Sequence, residues 1–186
     1  MIFENASFRD PAGRIFYLDN KVFRKIEKEG EERLSFFSKN NLLQSCIEQG
    51  FLIDSKILTK EEKIKERIDL DSTVVEHMKI PFISYPYEWS FYQLKSAALH
   101  HLDFHIYLLN NEATLIDASA YNIQFIGYKP VFIDLLSIKK YEEGEYWAGH
   151  KQFCENFLNP LILTSKKGIP FNSWFRGNLE GLFTEE

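Results

Sequence analysis

Apolar and polar positions alternate with a period of two over residues 14–18 and again over 21–26, with Asp19-Asn20 between the two runs. That pattern predicts a β-hairpin within residues 8–26, entered through the chain breakers Pro11 and Gly13. Over 27–49 the period lengthens to that of a helix. Leu34, Phe37, Leu42, Cys46 and Ile47 fall near one face, Asn40-Asn41 interrupt the run and Gly50 ends it. The charged residues 27–33 at its start read as a solvated face. Residues 51–53 predict a buried strand, 59–67 an exposed charged segment with a helix start at Thr59, and 79–84 a further strand. Ser90 caps a helix over 91–109, whose Leu94, Ala98, His101, His105 and Leu108 share a face. Residues 122–126 and 131–134 predict two strands joined by a turn at Gly127-Tyr128-Lys129-Pro130. A polar stretch over 137–145 leads to a helix from 146 to about 158, which Pro160 kinks or ends. Leu161-Ile162-Leu163 continues the core, and a short apolar segment over 171–179 follows the turn at Lys166-Lys167-Gly168.

Composition narrows the class. A chain of 186 residues can hold one sizeable domain or two small lobes with a shared cleft. Hydrophobic residues make up 45% and aromatic ones 16%, which indicates a packed globular protein. The net charge of −5, with acids and bases mixed, argues against a nucleic-acid partner, which would call for a basic face. Cys46 and Cys154 lack metal-ligand spacing and read as buried thiols. No apolar run reaches the ~18 residues of a membrane span, and Met1-Ile2-Phe3-Glu4 starts no signal peptide, so a soluble cytoplasmic protein with no membrane partner is expected.

Three polar residues stand out against the apolar background of 115–136: Asp117, Asn122 and Asp134. Asp117 and Asn122 have the spacing D-x-x-x-x-N, and Asp134 ends the second strand of the hairpin begun beside Asn122. A hairpin brings its outer ends together, so Asn122 and Asp134 are expected side by side, with Asp117 one loop away. Two carboxylates and an amide oxygen suit Mg²⁺, a hard cation usually shared with substrate phosphates. The competing assignment is turn capping, a common duty of Asp and Asn in loops.

This constellation resembles the catalytic loop and metal-binding Asp of the protein-kinase-like phosphotransferases. The resemblance implies an α+β, divergent protein-kinase-like two-lobe architecture. Residues 1–84 would form a small β-rich N-terminal lobe, and 85–186 a mainly helical lobe carrying the hairpin. It implies ATP and Mg²⁺ as cofactors. Asp117 would act on the acceptor hydroxyl, Asn122 and Asp134 would hold the metal, and a basic residue on the strand 21–26 would reach the phosphates. Val22-Phe23-Arg24-Lys25 points to Lys25 by position, whereas face parity favours Arg24, which shares its face with Val22. An exposed basic strand edge is the plainer assignment for both. Glu88, in the aromatic connector Tyr85-Pro86-Tyr87-Glu88-Trp89, is a third cofactor-binding candidate. The chain departs from the kinase pattern at three points. No G-x-G-x-x-G precedes the strand, Thr114-Leu115-Ile116 stand before Asp117 in place of H-R, and Leu135-Leu136 follow Asp134 in place of Phe-Gly.

His101 and His105, one helical turn apart, have a spacing compatible with zinc, but no third ligand is identifiable. Histidines packed against the next loop are the alternative.

The stretches FRDPAGRIFYLDNKVFRKI, FISYPYEWSFYQLKSAALHHLD, LIDASAYNIQFIGYKPVFIDLLS and YWAGHKQFCENFLNPLIL together resemble the amino-terminal region of the NoeA-like host-specific nodulation proteins. In that family this region usually precedes an S-adenosylmethionine-dependent methyltransferase domain. The present chain has no Gly-rich strand-turn-helix of the Rossmann type, so the methyltransferase label does not transfer to it. Two functions follow as expectations. One is a divergent kinase-like phosphotransferase or nucleotide–Mg²⁺ binding module. The other is a non-catalytic accessory or interaction module, whose partner is a nucleotide, a small polar ligand, a methyltransferase domain or another protein.

Overall fold

The computed structural model describes residues 2–4 and 10–183. The start of the 8–26 stretch and the closing Thr184-Glu185-Glu186 lie outside the described residues. The chain is a mixed α/β protein that divides into two compact units, Met1–Lys79 and Ile80–Glu186.

In the first unit, β1 (Ile2–Phe3), β2 (Gly13–Leu18) and β3 (Lys21–Ile26) are followed by helices α1 (Lys28–Ser38) and α2 (Leu42–Glu48). Then come β4 (Ser55–Ile57), α3 (Lys60–Glu66) and β5 (Val74–His77). The strands form an antiparallel sheet in the order β1-β2-β3-β5-β4. The expected hairpin is present. Asp19 and Asn20 both take positive φ (45° and 68°), the conformation a two-residue hairpin turn requires and one that Asn and Asp tolerate. Inward-facing Phe16 and Phe23 stack across β2 and β3 at 5.3 Å between ring centroids and pack with Leu58, Ile68 and Val74. Asn41 is left-handed (φ 62°) and separates α1 from α2, where Asn40-Asn41 predicted a break. A capping box between Thr59 and Glu62 starts α3, as expected from Thr59.

Three expectations for this unit and its end need correction. The run 27–33 is not wholly solvated, because Gly30 is buried and a Cβ there would meet the Ala12 carbonyl oxygen at 2.4 Å. Residues 51–53 are buried or half-buried yet form no strand; the pairing falls to β4, whose Ser55 and Lys56 hide its alternation. Residues 79–84 form no strand either. The place beside β3 is taken by Val74–His77, which sequence reading passed over. Pro81 has no N–H for a ladder, and the chain bends at 81–82.

In the second unit, α4 (Phe91–Leu109) is followed by β6 (Ala113–Leu115), β7 (Ile123–Ile126), β8 (Lys129–Phe132) and β9 (Ile138–Lys140). The strands pair as two antiparallel ribbons, β6 with β9 and β7 with β8. Ser90 caps α4 in a capping box with Gln93, as its position predicts. The hairpin turn is tighter than expected. Gly127 (φ 63°) and Tyr128 alone make it, and Pro130 lies in β8 opposite Phe125. Ahead of α4, the Gln124 side chain behaves like a neighbouring strand: its Oε1 accepts the Ser84 N–H and its Nε2 donates to the Ser84 carbonyl.

The helix predicted from 146 starts later, with α5 (His150–Phe153), and passes through a π-turn (Cys154–Leu158) into α6 (Asn159–Lys167). Pro160 does not end this path. It directly follows the π-turn, where the carbonyl five residues back, that of Glu155, is taken by the Leu182 N–H and needs no donor from residue 160. The unit closes with α7 (Asn172–Gly177). Cys46 is fully buried, but Cys154 is half-buried and does not fit the expectation of a buried thiol. Among the described residues, no helix is long and apolar enough to cross a membrane.

Candidate functional site

The loop between β6 and β7 is held by its own polar side chains. Asp117 Oδ1 accepts the Ser119 N–H at 2.7 Å, and Ser119 Oγ accepts the Tyr121 N–H at 3.2 Å, which starts a short 3₁₀ turn over Ala120–Asn122. Behind the loop, the α5–π-turn segment supplies two amides four residues apart. Gln152 Oε1 accepts the Ala118 N–H at 2.7 Å and Asn156 Oδ1 accepts the Ala120 N–H at 3.0 Å. Asn156 is buried and its Nδ2 donates to the Glu180 carbonyl, so one side chain joins the loop to the carboxy-terminal stretch. The π-turn serves the same join: Glu155 O accepts the Leu182 N–H at 2.9 Å.

The structure brings Asp117, Asn122 and Asp134 together. The Ile133 N–H donates to the Asn122 carbonyl at 2.9 Å, which extends the β7–β8 pairing to the residue beside Asp134. Asp117 is half-buried, and burial, then the charge of Asp134, raise its carboxyl above the usual range. The Ser119 N–H and the amides of Gln152 and Asn122 work in the opposite direction. Asn122 stands in proximity to Asp117 and not in a formed bond, since its buried Nδ2 reaches no acceptor among the described residues. Asp134 is committed to its own turn, accepting the Leu136 N–H and the Ser137 hydroxyl. Both carboxylates therefore cap turns, and the charge of Asp134 is felt at Asp117.

The other candidates are engaged locally. Arg24 is buried in β3, and its Nη2 donates to Asp10 Oδ2 at 2.5 Å. Lys25 borders a small recess with Phe16, Ile68 and Val74, and its charge helps keep the Asp69 carboxyl low, after the larger contributions of the Asp71 N–H and the Ser72 hydroxyl. Glu88 accepts the Tyr85 N–H at 2.8 Å and closes the 3₁₀ turn Pro86–Glu88. Arg24 and Glu88 are thus engaged with partners inside the fold, and Asp117, Asn122 and Asp134 carry oxygens of the type a hard cation takes.

His101 is fully buried among Phe132, Trp147, Phe153 and Phe157, with ring centroids 5.7–5.9 Å away. Among the described residues neither of its ring nitrogens has a hydrogen-bond partner, and burial pushes its pKa down to about 3. His105 meets Thr114 Oγ1 at 3.0 Å, and burial lowers its pKa to about 4. Among the described residues, no group of three His, Cys, Asp or Glu side chains is placed to hold a metal.

Sequence reading missed Gln152, Asn156 and Asp10. Gln152 precedes Phe153 and Asn156 precedes Phe157 in a helix otherwise read for its apolar face, and their four-residue spacing was the available signal. Asp10 stands before a breaker and carried no signal of its own.

The fold and site define a mixed α/β protein: an antiparallel sheet in one unit, and a helix-backed acidic loop and hairpin in the other. No family model matches the chain. Over 178 residues the chain is 43% identical to the nodulation protein NoeA of Rhizobium meliloti (strain 1021), covering 95% of this chain and 36% of that protein. The chain thus spans little more than a third of the length of this curated relative.

Proposed function

We propose that the chain is a non-catalytic accessory module of a NoeA-like nodulation protein, built on a divergent kinase-like plan. The observation that carries this reading is the engagement of the residues a phosphotransferase would need: Arg24 with Asp10, Glu88 with the Tyr85 N–H, and Asp134 with Leu136 and Ser137. The similarity to part of NoeA supports an accessory place beside a further segment, for which a methyltransferase domain is the candidate partner. The kinase-like plan is supported by the element order within each unit: a strand hairpin followed by a helix in the first, and a long helix, an Asp–Asn loop, a hairpin and an Asp in the second.

A second reading is favoured by one observation: the charge of Asp134 and the amide of Asn122 both act on the Asp117 carboxyl. In it the chain is an ATP- and Mg²⁺-dependent phosphotransferase. Asp117 orients the acceptor, and Asn122 and Asp134 hold the metal. One experiment separates the readings: incubation with labelled ATP and Mg²⁺ beside an Asp134→Ala variant, with melting followed in parallel. The accessory reading expects no label transfer from either protein. Transfer by the parent chain that Asp134→Ala abolishes overturns it. A nucleotide bound at 100 times its dissociation constant adds about 2.7 kcal/mol, so a silent melting curve also removes simple nucleotide binding.

A further inference from the structure

Helix α4 turns its Leu94–Leu108 face inward and leaves an apolar stripe on its other side. Tyr92, Leu99 and Ile106 recur every seven residues and are 78%, 52% and 57% exposed. At 1.5 Å per residue the stripe runs about 21 Å, most of the helix length. Lys95 and Asp103 flank Leu99 at equal distances of four residues, and both are exposed. A groove of about 340 Å³ runs beside the stripe, bordered by Ser96, His100 and the hairpin residue Pro130.

The stripe is complementary to itself when reversed about Leu99. In an antiparallel helix pair, a residue k positions before Leu99 faces the residue k positions after it on the other helix. Leu99 then meets Leu99 of the partner subunit, Lys95 meets the partner subunit's Asp103, and Tyr92 meets the partner subunit's Ile106. Each of the last two contacts occurs twice, as a two-fold interface requires. A parallel pair would set Lys95 against Lys95 and Asp103 against Asp103, so the charges also select the direction. Within one helix Lys95 and Asp103 lie eight residues, about 12 Å, apart and have no role toward each other.

We propose that α4 is a self-association surface, on which two copies of this chain pair antiparallel about Leu99. This inference does not depend on the accessory reading, because it rests on the outer face of α4 alone. The groove gives the facing helix a place to seat side chains, and the rim charges set the register.

Sedimentation equilibrium of the whole chain across the micromolar range tests it. The expected result is a monomer–dimer equilibrium that Leu99→Asp abolishes. Lys95→Asp and Asp103→Lys, taken singly, each put like charges together twice and should weaken it at least about tenfold. The doubly reversed Lys95→Asp/Asp103→Lys chain should return to near the parent affinity, which no effect within one helix would produce. These positions are exposed, so far-ultraviolet circular dichroism and melting should match the parent. A chain that stays monomeric, a dimer indifferent to Leu99→Asp, or a double variant no better than the singles overturns the proposal.

Discussion

Arg24 and Asp10 form a charged hydrogen bond of 2.5 Å on one side of the antiparallel sheet, with the Arg24 side chain almost wholly buried. Asp10 also accepts the Ala12 N–H at 2.9 Å, so one carboxylate fixes both the turn into β2 and the guanidinium of β3. A cation held this way serves the fold. Its removal from solvent is offset by a partner fourteen residues away in sequence.

Asp10→Ala is expected to destabilise the chain by about 2 kcal/mol, the scale of a lost charge-assisted hydrogen bond. Asp10→Asn, which keeps an acceptor but no charge, should cost less. Urea denaturation at pH 7 measures both, and an Asp10→Ala chain as stable as the parent would remove Arg24–Asp10 from the structural account.

Asn156 joins the Ala120 N–H to the Glu180 carbonyl, and truncation leaves two main-chain groups without that partner. Asn156→Ala should therefore cost about 2–3 kcal/mol. The loss should appear as a lower urea midpoint at an unchanged slope.

The raised carboxyl of Asp117 carries a sign that can be checked. A folded-state pKa above the unfolded value of about 3.9 means that the fold binds this proton more tightly than the open chain does. The contribution to stability is full below that pH and is lost as pH rises through the folded value. At neutral pH the ionised group is a cost, so Asp117→Asn, which can still accept the Ser119 N–H, should melt at or above the parent temperature. The gap should close as the pH falls below about 4.

His101 acts in the opposite direction. Its pKa of about 3 in the fold, against about 6.5 in the open chain, makes its neutral form part of the native state. Stability from this group is present above about pH 6.5 and is lost as the pH falls toward 3. His105, lowered to about 4, adds to the same slope. His101→Leu, placed among four aromatic rings with no hydrogen bond to lose, should flatten the melting-temperature profile between pH 6.5 and 4 without lowering it at pH 7.

Much of this architecture was legible before any coordinates. The Asp19-Asn20 turn, the caps at Thr59 and Ser90 and the helix 91–109 announce themselves through local chemistry, in which a residue's own side chain or φ settles the matter. The adjacency of Asn122 and the end of β8 followed from hairpin closure alone. What could not be read depends on partners distant in sequence. β5 gains its strand from β3 and β4, the short β4 shows only Ser-Lys-Ile, and Asp10 becomes meaningful only opposite Arg24. Gln152 and Asn156 were legible as polar residues in a helix, but their task requires a loop more than thirty residues earlier.

The π-turn at Cys154–Leu158 has a final consequence. A helix that widens by one residue leaves a carbonyl without its usual recipient, and here the Glu155 oxygen is taken by Leu182. Deleting Cys154 from this turn would rewind it to ordinary pitch and leave the helix after it running in nearly the same direction, because the wide turn is what absorbs the extra residue. The Glu155 oxygen would then be offered to the Asn159 N–H in place of Leu182, and Gln152 and Asn156 would stand three residues apart instead of four, although neither side chain had been altered. The spacing of the backbone is itself a component here, as specific as any side chain it carries.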